Sequence, residues 1–287
     1  MANNITKPTT HIALIWRRLR RNKIALLGFF LIALYVTSAI FAPVLAPYAP
    51  AKQDLSLSLA PMSSQHWLGC DEFGRDILSR IIYGARTSLI IQFSSVVIAL
   101  FIGVFLGAIG GYFGGWLDEC LMRIMDVMLA FPGMLLALAI VAMLGPSLVN
   151  LIIAIGIYSI PQFARITRGS VISVKQNDYV TAAKAIGETN GSIIWRYVLP
   201  NAISPIIVQT SLRMATVLLT AAGLGFLGLG VQPPTAEWGT MLSSARIYLR
   251  SAPSVAVIPG LCIMLVVLGF NFLGDGLQDA LNPRLKE

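Results

Sequence analysis

Charge is what this sequence has least of. Only 12% of its 287 residues are Asp, Glu, Lys or Arg, where a soluble domain carries about a quarter. Histidine and cysteine are rarer still. His11 and His66 both fall outside the apolar stretches, and Cys70, Cys120 and Cys262 fall in three separate segments with no CxxC pair. That excludes a disulfide framework and a cysteine- or histidine-built metal centre. A Gly-Lys dipeptide occurs nowhere, so no GxxxxGK[ST] loop is present to cradle phosphates. Every Asp and Glu stands outside the apolar stretches or at their ends, which removes the mid-membrane acid that proton or sodium coupling uses. No paired carboxylates, and no nucleophile with a base, stand where a membrane enzyme would need them.

What is abundant is apolar sequence: 56% of the residues, with a mean hydropathy of +0.76. These residues come in runs of about 20, the length that crosses roughly 30 Å of hydrocarbon. Six runs are evident: Lys23 to Ala42, Ser88 to Gly111, Val127 to Leu144, Leu148 to Ile166, Ile203 to Gly230, and Val255 to Phe272. The first is longer than a signal-peptide core and reads as a retained helix. Pro132, Pro161, Pro205 and Pro259 lie in or beside the runs, where neighbouring helices can satisfy the carbonyls they free. The expectation is an all-α integral membrane protein of about six transmembrane helices.

The net charge of +8 sits at the ends of these runs, as a topogenic signal does, and not on a nucleic-acid-binding face. With a cytoplasmic N-terminus, 14 Lys and Arg fall on inside segments and six on outside ones. This places both termini in the cytoplasm and divides the chain into a tail (1–22), a first span (23–42), an extracytoplasmic segment (43–87), a core (88–275) and a second tail (276–287). Within residues 71–87, Ile77, Leu78, Ile81 and Ile82 form a helical stripe opposite Asp76, Ser79 and Arg80. Either a helix lying along the membrane surface or the amphipathic start of the second span fits that pattern. Gly103, Gly107 and Gly111, four residues apart, prepare a close helix contact. Gly223, Gly225, Gly228 and Gly230 suit either tight packing or local unwinding.

The most informative stretch is 177–201, on the cytoplasmic side. It reads as a helix, a Gly stop at Gly187, an N-cap at Thr189, a short second helix to Val198, and a Pro stop at Pro200. Ile193, Ile194, Tyr197 and Val198 share an apolar side while Arg196 points away. Such a rod either docks into a partner's groove or packs on the membrane surface.

The spacing Ala182-Ala183, Gly187, Leu199-Pro200 resembles the "EAA" loop of bacterial ABC import permeases. The leading Glu of that pattern is Thr181 here and its Ile is Tyr197, so no carboxylate stands at the first position. Four further stretches resemble the second permease subunit of dipeptide, oligopeptide, glutathione and nickel importers. They are Leu68 to Arg80, Gly110 to Gly115, Gly225 to Pro234 with Glu237-Trp238-Gly239, and Asn271 to Ala280. The resemblance implies a type I ABC importer permease fold with a cytoplasmic coupling helix, in a bacterial inner membrane. It implies import of peptides, with nickel as the alternative. The implied partners are a second homologous permease, two cytoplasmic ATPases that use ATP and Mg, and an extracytoplasmic solute-binding protein, with no cofactor on this chain. It assigns ATPase coupling to Ala182, Ala183, Gly187, Thr189, Ile193, Ile194, Trp195, Arg196, Tyr197, Leu199 and Pro200. A secondary transporter or a membrane scaffold is the rival class; the first lacks its mid-membrane acids, and the second does not explain the helix-Gly-helix loop.

Arg213 is the one ionised side chain deep inside a run. Insertion scales put it at about 2.5–3.5 kcal/mol unfavourable there, so it faces protein or water. Two readings stand: it lines the pathway and meets a substrate carboxylate, or it has a structural partner on a neighbouring helix or snorkels to an interface. Gln92, Asn150, Gln162, Gln209 and Thr210 suit interhelical hydrogen bonding.

Overall fold

The computed structural model describes residues 19–281. Most of the N-terminal tail and the last six residues, with Lys7, Arg17, Arg18, Arg284 and Lys286, lie outside them. Among the described residues every regular element is helical. The principal helices are α1 (Lys23–Ile40), α2 (Ile77–Phe113), α3 (Gly115–Ala130), α4 (Gly133–Leu144), α5 (Leu148–Lys175), α6 (Asp178–Ala185), α7 (Asn190–Ile193), α8 (Leu199–Phe226), α9 (Trp238–Ala245) and α10 (Ser254–Leu281). Five described helical stretches are long and apolar enough to cross a membrane; the bent pair α3–α4, counted as one broken span, makes six.

That bent pair corrects the expectation of an uninterrupted span from Val127 to Leu144. The two helices meet at 88°. Pro132 has no N–H and disfavours helical geometry in the residue before it, and Phe131 accordingly sits extended, at φ −88° and ψ 136°. The proline is not sufficient alone, since Pro161, Pro205 and Pro259 all lie inside unbroken helices. What distinguishes the break is the next residue: a Cβ on Gly133 would lie 2.1 Å from the Tyr158 ring of α5. The ring occupies the space that a side chain would need.

Helix α2 settles the reading of residues 77–87, since it runs unbroken from Ile77. Its 37 residues extend about 55 Å, well beyond the roughly 30 Å of hydrocarbon. Asp76 starts it by accepting from the Ser79 amide (2.7 Å). Against it lies α5, through the glycine ladder. A Cβ on Gly103 would sit 2.8 Å from the Ile160 carbonyl, one on Gly107 2.3 Å from that of Ala164, and one on Gly111 2.8 Å from that of Arg168. Backbones this close gain dispersion contact along the seam without help from water. Around the seam, Ile91, Val96, Leu151, Ile155, Phe163, Val217 and Leu224 form the main core. A second core joins α1, α8, α9 and α10, with Gly28 of α1 pressed on the Gly269 carbonyl. Gln92 ties the two together: it accepts from the Tyr35 hydroxyl (2.6 Å) and donates to the Met214 carbonyl (2.9 Å).

The motif from Leu68 to Arg80 is a charge-built knot at the start of α2. Asp71 accepts from the amides of Phe73 and Arg75 and pairs with the Arg75 and Arg80 guanidiniums (2.6 and 3.3 Å). All three side chains are buried. At the same end, the glycines after residue 222 divide. Gly223 and Gly225 are helical, Gly228 lies past the end of α8 with φ +81°, and Gly230 folds back onto Gly225. This lets α9 tuck in against α8 and α2, with Gly239 on Ala222 and the Trp238 indole donating to the Ile81 carbonyl (3.0 Å). Glu237 caps α9 through the amides of Gly239 and Thr240, both at 2.8 Å. Burial raises its carboxyl above the ordinary value, and those two amides oppose the shift.

Two outcomes follow. Gly107→Leu forces α2 and α5 apart and costs about 3 kcal/mol or more, seen as loss of the monodisperse peak on size exclusion in detergent. Glu237→Ala removes a cap worth about 1–2 kcal/mol, whereas Glu237→Gln keeps an acceptor and loses less; thermal unfolding in detergent ranks the two.

Candidate functional site

The loop from Asp178 to Val198 forms at the opposite end of α2 from the charge-built knot. Helix α6 ends in a Schellman turn: the Gly187 amide donates to the Lys184 carbonyl (3.0 Å) and the Glu188 amide to that of Ala183 (3.1 Å). Gly187 holds φ +85°, the left-handed region that costs other residues about 1–2 kcal/mol. The Thr189 hydroxyl then accepts from the Ser192 amide, at a long 3.4 Å, to start α7. Both turns stand where the sequence places them.

The Pro stop does not. Helix α7 runs through one π turn, Ile194–Val198, directly into α8. Pro200 lies in the first turn of α8, where its missing N–H is tolerated. The π turn bonds the Leu199 amide to Ile194, and the Asn201 side chain donates to the Tyr197 carbonyl (2.6 Å). The expected short rod is therefore the first part of the fifth span.

The apolar side of that rod is turned inward. Ile193, Ile194 and Val198 are buried with Val180 and Ala183 of α6, Ala108 and Tyr112 of α2, and Val171 of α5. Tyr197 and Leu199 are half-buried beside them. What remains outward is a different set: Ile186 is 77% exposed and Trp195 69%, alongside exposed Ala182, Thr189, Arg196 and Pro200. Two large apolar side chains, each more than two-thirds uncovered, sit on a firmly packed platform.

Tyr112 anchors the platform, and the sequence reading passed over it. Its hydroxyl donates to Asn190 Oδ1 (2.9 Å), its carbonyl accepts from Lys175 Nζ, and the Lys175 and Lys184 ammoniums lie over its ring at 5.4 and 5.3 Å. The signal was its place inside the Gly110–Gly115 stretch. Gly114 and Gly115 there both take positive φ (+67° and +60°), turning the chain at once into α3. Helix α3 is then clipped to α5 by Arg168, which meets both oxygens of Asp118 (2.6 and 2.7 Å), and by Arg165 with Asp126. The second pair is half exposed on both sides and is worth under about 1 kcal/mol. The bidentate Arg168 pair is the firmer clip.

Arg213 stands apart from this loop, fourteen residues or about 20 Å along α8 from Leu199. It is buried, with its guanidinium 4.6 Å from the centroid of the Tyr158 ring. Among the described residues, its Nε and one terminal nitrogen find no hydrogen-bond partner.

A profile of binding-protein-dependent transport system inner membrane components matches residues 99–287, more than half of the chain. The chain belongs to that family. It is thus a multi-pass inner-membrane permease. A second profile, the N-terminal transmembrane domain of oligopeptide transport permease C, matches residues 10–61. The permease is 51% identical to the dipeptide transport system permease protein DppC of Alkalihalophilus pseudofirmus, over 94% of this chain and 89% of that one. It is 50% identical to the di/tripeptide transport system permease protein DppC of Pseudomonas aeruginosa (94% and 91% covered). To the glutathione transport system permease protein GsiD of Escherichia coli it is 49% identical (94% and 90% covered). Its fold is shared with a chain of the MetNI methionine ABC transporter in an inward-facing crystal form. The TM-score is 0.60 at 18% identity, covering 72% of the permease and 98% of that chain.

Gly187→Ala will strain the turn by about 1–2 kcal/mol. Amide hydrogen exchange across residues 186–192 of the purified permease should then quicken about five- to thirtyfold, while exchange in α5 stays unchanged.

Proposed function

We propose that this permease forms part of an ATP-driven importer that carries di- and oligopeptides, glutathione among them, inward across the membrane. The loop at 177–201 faces the cytoplasm and receives an ATPase. Both chain termini lie on the same side as that loop, in keeping with the bias of Lys and Arg towards it. A second homologous permease completes the pathway, two ATPases hydrolyse ATP with Mg, and a binding protein delivers the solute from the other side.

The observation that carries this reading is the uncovered pair Ile186 and Trp195 on an otherwise packed platform. Exposed aromatic and aliphatic side chains on a rigid support are what a protein partner buries as an anchor. The coupling contact therefore rests on Trp195, Arg196, Ile186 and Ala182, while Ala183, Ile193, Ile194 and Val198 hold them in place. ATP-driven closure of the partners pushes on Trp195, and the helix from Asn190 to Phe226 carries the push into the membrane. Conversion into transport needs two packings of the spans that both nucleotide and solute bias. The peptide substrate is supported by the names of the three relatives above, each a peptide or glutathione permease; this favours a peptide over nickel.

Trp195→Ala should lower ATP-driven dipeptide uptake in proteoliposomes by at least about tenfold, the scale of losing one interface anchor, with spans and thermal stability unchanged. A cysteine at position 195 should crosslink to the ATPase. Full uptake by Trp195→Ala, together with crosslinks that never reach a nucleotide-hydrolysing subunit, would sink the assignment.

A further inference from the structure

The break between α3 and α4, Tyr158 of α5 and Arg213 of α8 meet in one stack. Tyr158 lies against the backbone of Gly133, where α4 begins, and the Arg213 guanidinium lies on the same ring, 4.6 Å from its centroid. Pro132 offers no side-chain cap to the start of α4, so amide donors and the positive end of the helix are presented there. Arg213 is only 4% exposed. Its polar neighbours are neutral: Thr216 Oγ1, at a long 3.4 Å from a terminal nitrogen, and the Tyr158 hydroxyl; no acidic side chain among the described residues pairs with it. A buried guanidinium with two nitrogens left without a hydrogen-bond acceptor is expensive unless one reaches it in some state of the protein.

We infer that Arg213, flanked by Tyr158 and the start of α4, is a subsite for the terminal carboxylate of a peptide in transit. The inference rests on the peptide-importer reading above. A planar fork of donors fits a carboxylate with two parallel hydrogen bonds, and a broken-helix N-terminus inside the membrane suits an anionic group. The carboxylate is also the anion that peptides of every side-chain composition share, so a site built on it accepts many sequences. Arg213 is covered in the conformation seen here. The peptide therefore meets it when α5 and α8 part, and Tyr158 closes over the guanidinium once the peptide has gone. The missing counter-charge is then part of the design: a resident Asp or Glu would compete with the cargo.

The test uses the assembled transporter in lipid nanodiscs without its binding protein, and compares equilibrium binding of radiolabelled trialanine with that of trialanine amide. The wild type should bind the acid about ten- to a hundredfold more tightly, the range of a charge-assisted pair. Arg213→Gln should bring the acid down to the level of the amide and leave the amide unchanged, and Arg213→Lys should keep part of the preference. An undiminished preference in Arg213→Gln overturns the inference. So does equal weakening of acid and amide with a lowered unfolding temperature in both variants, which would make Arg213 a structural post. ATP-driven uptake of trialanine by the wild-type transporter, reconstituted in proteoliposomes with its binding protein, checks the importer reading separately. Uptake with equal acid and amide binding overturns the carboxylate subsite alone; no uptake overturns the reading beneath it.

Discussion

The contact on which the molecule depends is the backbone-to-backbone seam between α2 and α5. Lipid supplies no hydrophobic drive between helices, so association rests on how closely their surfaces approach. Three glycines on one helix, meeting the carbonyls of Ile160, Ala164 and Arg168 on the other, allow the tightest approach there is. Everything functional is referred to that seam. Its one end carries Tyr112, on which the 178–198 loop is built. Its middle carries Tyr158, against which both Arg213 and the break before Gly133 are packed. Beyond its other end α2 continues to Asp76 and the knot at its start.

Three buried polar groups away from the glycine ladder show one rule, that burial demands a partner. Asp71 holds two guanidiniums, Gln92 bonds to two helices at once, and Glu237 has two amides in a setting from which solvent is excluded. The Asp71 pairing adds little net stability against an apolar replacement, but removing Asp71 leaves stranded charges and costs several kcal/mol. Such pairings therefore fix which arrangement of helices is allowed. Arg213 departs from the rule, and it does so midway along a span.

Local features were legible in the sequence and long-range ones were not. The apolar runs, the glycine ladder, the left-handed turn at Gly187 and the cap at Thr189 depend on residues within one or two helical turns, and each was readable as a pattern. The break at Phe131-Pro132 was not, because Pro132 looks like Pro161, Pro205 and Pro259 until the Tyr158 ring is seen to occupy the place of a side chain at Gly133. The continuation of α7 into α8 was hidden for a similar reason: Pro200 signals an end, and only the π turn shows how the helix passes it. The apolar stripe of the rod was correctly identified, but its direction was not. Ile193, Ile194 and Val198 are taken up by α2, α5 and α6, which leaves the outward face to Trp195.

The π turn at Ile194–Val198 makes loop and span a single shaft with no hinge between them. A tilt imposed at its Asn190 end is not absorbed locally; it reappears as lateral travel further along, in proportion to the distance from the pivot. A tilt of a few degrees over about 20 Å shifts a mid-membrane side chain by roughly an ångström, enough to change which groups fit around it. The force and the cargo would in that way share one rigid lever.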